Sequence, residues 1–295
     1  MSRHLLNRYI WILETIERYG RISRQELDIL WREADVSGGE PLARRTFYNY
    51  RNGIEELLGI TIGYNPSTFE YFIENSDNTS EFNGWLVNSM SINGMLSSAS
   101  EIADCVMLEE VPSARQHLSS VIDAIKSLRK IRFTYTPFYR QNPTEGIVIA
   151  PYFLRIFRQR WYVIGYNDKD RKIKTYSLDR LSDITITEET YEKPEIGVKE
   201  FFKNAFGIMT SMSEAKTVTI KADSEQSKYF RALPLHPSQQ EQLCDGYSIF
   251  SYHLYITYDL VQELLSYGHR ITVIAPVELR AIIVDELRKS LDNYN

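Results

Sequence analysis

Apolar residues at helical spacing open the chain. Leu5, Tyr9, Ile12, Leu13, Ile16 and Tyr19 recur every three or four positions, and Gly20 supplies a stop. In SRQELDILW, Ser23 and Glu26 stand as a capping box ahead of a stripe of Leu27, Leu30 and Trp31. A turn at Gly38 and Gly39 precedes PLARRTFYNYRNGIEELLGI, a helix from Leu42 to Leu58 with Phe47, Ile54, Leu57 and Leu58 on one face. ITIGYNPSTFEYFIE then reads as two short strands around an Asn65-Pro66 turn. Three helices and a β-hairpin in this order predict a winged helix-turn-helix over residues 1–75.

Polar NSDNTS follows, and residues 76–112 read as a linker with a helical segment around Trp85, Leu86, Met90, Met95 and Leu96. Strand-like CVMLEE precedes Pro112, and a helix from Ser113 to about Lys130 carries Leu118, Val121, Ile122, Ile125 and Leu128. From Ile131 to Thr187 the period switches to two. IRFTYTPF, GIVIAPYFLRIF, RWYVIGY, KIKTYSL and SDITIT predict a small, strongly bent β-sheet or barrel within residues 113–190. In residues 191–295, strands VTIKA, YSIFSYHLYIT and ITVIA alternate with three helices, which predicts helices packed on one face of an antiparallel or mixed sheet. The fold class expected is therefore α+β and multidomain.

Composition permits real cores, with 43% apolar and 25% charged residues. The chain has no apolar run long enough for a membrane helix. The first twenty residues carry Glu14 and Glu17 inside their apolar pattern and read as a helix rather than an export signal. Cys105 and Cys244 lie too far apart for a zinc knuckle and are expected to be buried small hydrophobes in a cytoplasmic protein. Charge changes the picture more. The net charge is −5, yet between Lys126 and Arg180 thirteen basic residues face only four acids. A positive field inside a negative molecule attracts anions, and these cations are expected to converge on one concavity.

Motifs for catalysis are missing. No Walker loop, GxGxxG or GxSxG occurs, and His4, His117, His236, His253 and His269 never fall at metal-ligand spacing. Asp168-Lys169-Asp170 lacks the glycine and glutamate of a calcium loop and reads as a hairpin turn. No catalytic residue, metal or cofactor is expected.

The third helix carries the candidate DNA-reading surface. Arg45, Asn49, Asn52 and Glu56 fall opposite Phe47, with Tyr48 at the flank. Arginine can grip guanine and asparagine can pair with adenine, while Arg44 and Arg51 are placed for phosphates. A solvated helix face is the other reading of this pattern, and the winged-helix order favours the first. Residues 1–75 hold nine arginines against eleven acids, so affinity per subunit is expected to be modest and salt-dependent. A homodimer would join two half-sites of a double-stranded operator.

TFYNYRNGIEELLGI, PYFLRIFRQRWYVIGY and TYSLDRL together resemble WYL-domain transcriptional regulators. The resemblance implies a winged helix, an SH3/Sm-like β-barrel and a ferredoxin-like C-terminal extension. Pro151, Tyr152 and Leu154 match the family's Pro-Tyr-x-Leu element. Trp161 and Tyr162 match the name motif, with Val163 replacing its leucine, and Leu178, Asp179, Arg180 and Leu181 match the Leu-Asp-Arg-Ile element. Lys174 stands where the family often has arginine, and Ala150 where many members carry histidine. The family's barrel implies a sensor for an anionic effector, a nucleotide or single-stranded nucleic acid. Tyr152, Arg155, Arg158, Arg160, Tyr162, Lys174 and Arg180 are the candidate effector-binding residues. Strand alternation puts Arg158, Arg160, Tyr162 and Ile164 on one face and leaves Trp161 for the core. An internal salt bridge from Arg180 to Asp179 or Asp183 and core packing of the two tyrosines remain open alternatives. So do an accessory factor that binds single strands through its barrel and an enzyme acting on a nucleotide.

Overall fold

The computed structural model describes residues 3–74, 84–85, 89, 105, 115–138, 142–211 and 213–295. The chain forms two compact units, Met1–Glu109 and Glu110–Asn295.

The first unit runs α1 (Arg3–Tyr19), β1 (Ile22–Ser23), α2 (Arg24–Glu33), a 3-10 turn at Asp35–Ser37, α3 (Arg44–Leu58), β2 (Ile62–Asn65) and β3 (Glu70–Ile73). The short β1 joins the hairpin, giving a sheet in the order β1-β3-β2. Three helices against this small sheet make a winged helix. Ser23 closes the capping box, its Oγ accepting from Glu26 N at 3.2 Å while Glu26 Oε2 accepts from Ser23 N at 2.9 Å. Ile12, Leu13, Leu27, Trp31, Phe47 and Ile54 fill the core. Gly53 lets α1 approach α3, since a Cβ there would meet Tyr9 Oη at 2.1 Å. The third helix starts two residues later than its apolar pattern implies. Leu42 is buried instead, its N–H held at 2.6 Å by Asp28 Oδ1. Leu57, expected on the core face, is 49% exposed. It lies about 80° around the helix from Phe47.

The expected helical segment around residues 85–96, the strand at 105–110 and the start of the next helix at Ser113 fall almost wholly outside the described residues. The second unit is described from α4 (Arg115–Ser127). Its first sheet holds β4 (Arg129–Tyr135), β5 (Thr144–Phe157), β6 (Arg160–Asn167), β7 (Lys172–Ser177) and β8 (Leu181–Thr190). They pair antiparallel in the order β7-β6-β5-β4-β8, and the register of β5 shifts between Pro151 and Phe153. Val121, Ile131, Phe133, Ile149, Val163, Tyr176 and Leu178 form the core beneath α4, with Trp161 packed against it.

A short helix α5 (Val198–Phe201) follows. Next come β9 (Lys216–Asp223), α6 (Ser224–Ala232), β10 (Gln240–Cys244), β11 (Tyr247–Leu254), α7 (Tyr258–Ser266), β12 (Ile271–Ala275) and α8 (Val277–Asp292). The βαββαβ order and antiparallel sheet β10-β11-β9-β12 define a ferredoxin-like sandwich. Val218, Ile220, Phe250, Tyr252, Phe230, Leu260 and Leu279 fill its core. Strand β10 was not expected from QEQLC. It is an edge strand with little buried side chain, so no alternation betrays it. The cysteines correct another expectation: Cys105 is exposed and Cys244 only partly buried. Among the described residues, no helix is long and apolar enough to cross a membrane.

Candidate functional site

On α3, Arg44, Arg45, Asn49 and Asn52 are exposed, and Tyr48 and Arg51 are half-buried. The outward set is the one the helical spacing placed opposite Phe47. Tyr48 is pinned at the edge of this surface. Its hydroxyl lies 3.3 Å from that of Tyr71, and the Arg44 guanidinium stands 5.7 Å from its ring centre. Hydrogen bonds from Tyr71 and Arg44 pull the Tyr48 phenol below its ordinary range, while burial pushes Tyr71 up to about 12.

A second cluster occupies one face of the five-stranded sheet. The register sets Arg155 opposite Tyr162, Phe157 opposite Arg160, and Ser177 on the far side of Tyr162. Alternation then puts Phe153, Arg155, Arg160, Tyr162 and Ile164 on one face. Segment 201–205 covers part of it, with Phe202 and Ala205 packed on Ile164 and Tyr162. Arg155 lies over the Phe202 ring at 4.1 Å, and burial pushes its guanidinium down from its ordinary value although Asp259 opposes. Arg180, from the 3-10 turn Leu178–Arg180, lies over the Phe138 ring at 3.7 Å. Arg155 Nη1 and Arg180 Nε are both buried and make no hydrogen bond. Unpaired buried donors are rare in native proteins and each costs on the order of 1–3 kcal/mol. Between them, burial raises the Tyr162 phenol above its ordinary range, against the pull of Arg160.

The salt bridge considered for Arg180 belongs to its neighbour. Arg160 Nη1 donates to Asp179 Oδ2 at 3.1 Å, and Asp179 also accepts from Ser177 Oγ. Arg160 is thus largely neutralised, and Arg180 is the cation left uncommitted by that carboxylate.

The thirteen cations do not share one basin, contrary to the expectation from charge. Lys174 sits opposite Gly165 and so projects to the face of Tyr176 and Val163, away from Tyr162. There it pairs with Asp170 at 2.5 Å, beside a cavity of about 680 Å³ lined also by Asn167, Asp168, Lys169 and Glu189. Lys130 bridges Asp168 at 2.6 Å and Glu189 at 3.1 Å. Arg158 escapes the strand alternation. With Gln159 it forms the β5–β6 turn, at φ 47° and 63°, and it pairs with Glu263 at 2.5 Å. A two-residue hairpin turn of this kind reorients its side chains, which a strand reading cannot show. Tyr152 falls at the register shift of β5, its ring 5.7 Å from that of Tyr191, and its electrostatic neighbours are Tyr166, Asp168 and Lys130. Arg155, Arg160, Tyr162 and Arg180 therefore come together, while Arg158, Lys174 and Tyr152 go elsewhere.

Sequence reasoning missed Phe138, Phe202 and Asp259. Two rings carry guanidinium planes, and Asp259 Oδ2 accepts from the backbone N–H of Ile208 at 2.8 Å and Met209 at 3.0 Å, anchoring the covering segment. Gly207, at φ 78°, allows that approach, since a Cβ would meet Asp259 Oδ2 at 2.4 Å. Only FFKNAFG, five aromatic or small residues in seven, hinted at a packed strap. Among the described residues, no group of three His, Cys, Asp or Glu side chains could hold a metal ion.

A bent five-stranded sheet with a half-covered arginine face, followed by a ferredoxin-like sandwich, defines a two-module β and α+β unit behind a winged helix. Residues 116–186 match the WYL domain and residues 214–291 the WCX domain, so the chain is a WYL-domain protein with a WCX domain at its C-terminal side. No curated protein matches it. Among solved structures, proteasome accessory factor B/C (PafBC) of Arthrobacter aurescens is 19% identical with a TM-score of 0.37. The match covers 99% of this chain and 47% of that one, so this chain spans about half its length. A CRISPR Cas-related protein is 14% identical with a TM-score of 0.40, covering 76% of this chain and 66% of that one.

Proposed function

We propose that this chain is a DNA-binding transcriptional regulator, acting in the cytoplasm as a homodimer. Its WYL domain responds to an anionic effector, a nucleotide or single-stranded nucleic acid. The observation that carries the effector reading is the pair of ring-stacked arginines, Arg155 and Arg180, whose buried donors lack partners beside Tyr162. Phosphate oxygens would satisfy those donors, and a base could stack against the aromatic groups around them. Arg160 gives a weaker contact because Asp179 already holds it. Arg158, Lys174 and Tyr152 contribute at most long-range field. The exposed Arg45, Asn49 and Asn52 read base edges, and Arg44, Tyr48 and Arg51 meet phosphates. No step of this reading requires bond-making chemistry, so the chain acts by binding.

The test is anisotropy of a labelled promoter fragment carrying the operator, with and without a short 5′-phosphorylated oligonucleotide. Wild type binds the operator and its affinity changes when the oligonucleotide is added. Arg180→Ala is expected to keep operator affinity within about twofold yet lose the response, a coupling typically worth five- to 150-fold. The Arg45→Ala, Asn49→Ala double variant is expected to lose operator binding at least tenfold. Equal operator affinity for that double variant, or an unchanged response in Arg180→Ala, contradicts the corresponding half of the proposal.

A further inference from the structure

His236 stands where the arginine face meets the segment that covers it. It is buried in the loop between α6 and β10. Its Nδ1 is engaged from two sides. Ser238 N donates to it at 3.2 Å, and Ser238 Oγ lies 2.8 Å away. That oxygen accepts the N–H of His253 at 3.0 Å, which leaves its own hydrogen for Nδ1. Nδ1 is therefore an acceptor, and Nε2 carries the ring proton. The hydrogen bond with the Lys203 backbone favours the protonated ring, as donation from a ring N–H to a carbonyl does. The imidazole thus holds the residue next to Phe202, the ring over which Arg155 lies at 4.1 Å.

A second proton is unwelcome on this ring. On Nδ1 it would point at the Ser238 N–H, and it would add a positive charge near that of Arg155, which already acts on the imidazole. The groups around the loop do not relieve that repulsion. On the covering segment, the Lys203 ammonium is at the surface, paired with Glu200 at 3.4 Å. From β11 come the main chain of His253, whose ring is exposed, and the Tyr252 phenol. Burial keeps that phenol protonated, and it donates to Gln239 Oε1 at 3.0 Å. From α6 comes the Phe230 carbonyl, which accepts from Gln239 Nε2 at 2.8 Å. Asp259 on α7 acts on Arg155, and its carboxylate is engaged by the backbone N–H groups of Ile208 and Met209. An anion seated on Arg155 removes the repulsion, and linkage makes the effect mutual.

We infer that His236 is a proton latch on the anion site: an anion bound at Arg155 draws a proton onto the imidazole, so that acid tightens anion binding. The inference rests on the anion-binding reading of this face. The probe is a labelled oligothymidylate without a terminal phosphate, whose own charge is constant between about pH 5.5 and 8, used at one salt concentration. The full chain is expected to bind it about fivefold more tightly at the acid end of that window than at the other. It is also expected to take up protons on binding, read by calorimetry in two buffers of different ionisation enthalpy. His236→Gln keeps an amide donor for Lys203 and an acceptor for Ser238, and is expected to bind equally well at both ends and to take up none. In wild type alone, the His236 ring resonance is expected to titrate at higher pH with the probe bound than without it. Wild-type binding that ignores pH, a pH dependence that His236→Gln retains, or a ring titration that does not move overturns the latch and leaves the anion site standing. No binding at any pH overturns the anion site, and the latch with it.

Discussion

His236 is buried beside Arg155, and both facts act on its proton. Burial lowers its pKa, Arg155 lowers it further, and a hydrogen bond with the Lys203 backbone partly opposes them. Its Nδ1 lies 2.8 Å from Ser238 Oγ and accepts from Ser238 N at 3.2 Å, so the neutral ring is the form the fold holds. A histidine depressed in the folded state binds fewer protons there than in the unfolded chain. Its stabilising contribution is therefore complete above the ordinary histidine pKa of about 6.5 and is lost as pH falls below it. Melting temperature is expected to drop between pH 7 and pH 5.5 more steeply in wild type than in His236→Gln. Parallel slopes for the two proteins would show that the ring does not titrate in this window. Because His236 touches the electrostatics of Arg155, a filled anion site is expected to shallow the wild-type slope.

At the level of elements, the β5–β6 hairpin decides what the sheet can present. Gly165 is required by β5, because a Cβ would meet the Ala150 carbonyl oxygen at 2.5 Å and the Ile149 side chain at 2.9 Å. Gly165→Ala is expected to cost about 1–3 kcal/mol, read by urea unfolding, with the effector response weakened as the strands part. A midpoint unchanged from wild type would mean that the strands yield without strain. This hairpin also shows how much of the protein the sequence carries on its surface. The period-two pattern is enough to place Arg160, Tyr162 and Ile164 on one face and Trp161 on the other, as the register has them. It fails at Arg158, because a turn with positive φ breaks alternation, and at Lys174, because face assignment across three strands depends on register. On α3, a 3.6-residue period sufficed to place Arg45, Asn49 and Asn52 on the exposed side, since one helix packed on one core has a single exposed side. Phe202 and Asp259 were illegible for a different reason. Phe202 reaches Arg155 from a segment with almost no regular structure and Asp259 from the start of α7, and no local pattern encodes either meeting.

Across the second unit, the arginine face of the five-stranded sheet and the WCX sandwich share parts. Phe202 lies under Arg155, Phe206 meets Phe157 edge-on at 5.8 Å, and Asp259 at the start of α7 holds the backbone of Ile208 and Met209. Arg158 reaches Glu263 on the same helix. An anion that draws the Arg155 guanidinium toward itself changes what Phe202 packs against, and the segment behind it is fastened to α7, the neighbour of α8. Coupling by this route needs two arrangements of the segment with different anion affinity. The central claim is that Arg155 and Arg180 are held unsatisfied for a ligand rather than for stability. Thermal melts of wild type and of an Arg155→Met, Arg180→Met variant, each with and without a 5′-phosphorylated oligonucleotide, test it directly. Replacing buried unpaired charge by apolar side chains is expected to raise the melting temperature without ligand and to abolish the ligand-induced rise that wild type shows. A variant that melts lower than wild type, or that still gains stability from the oligonucleotide, would contradict it.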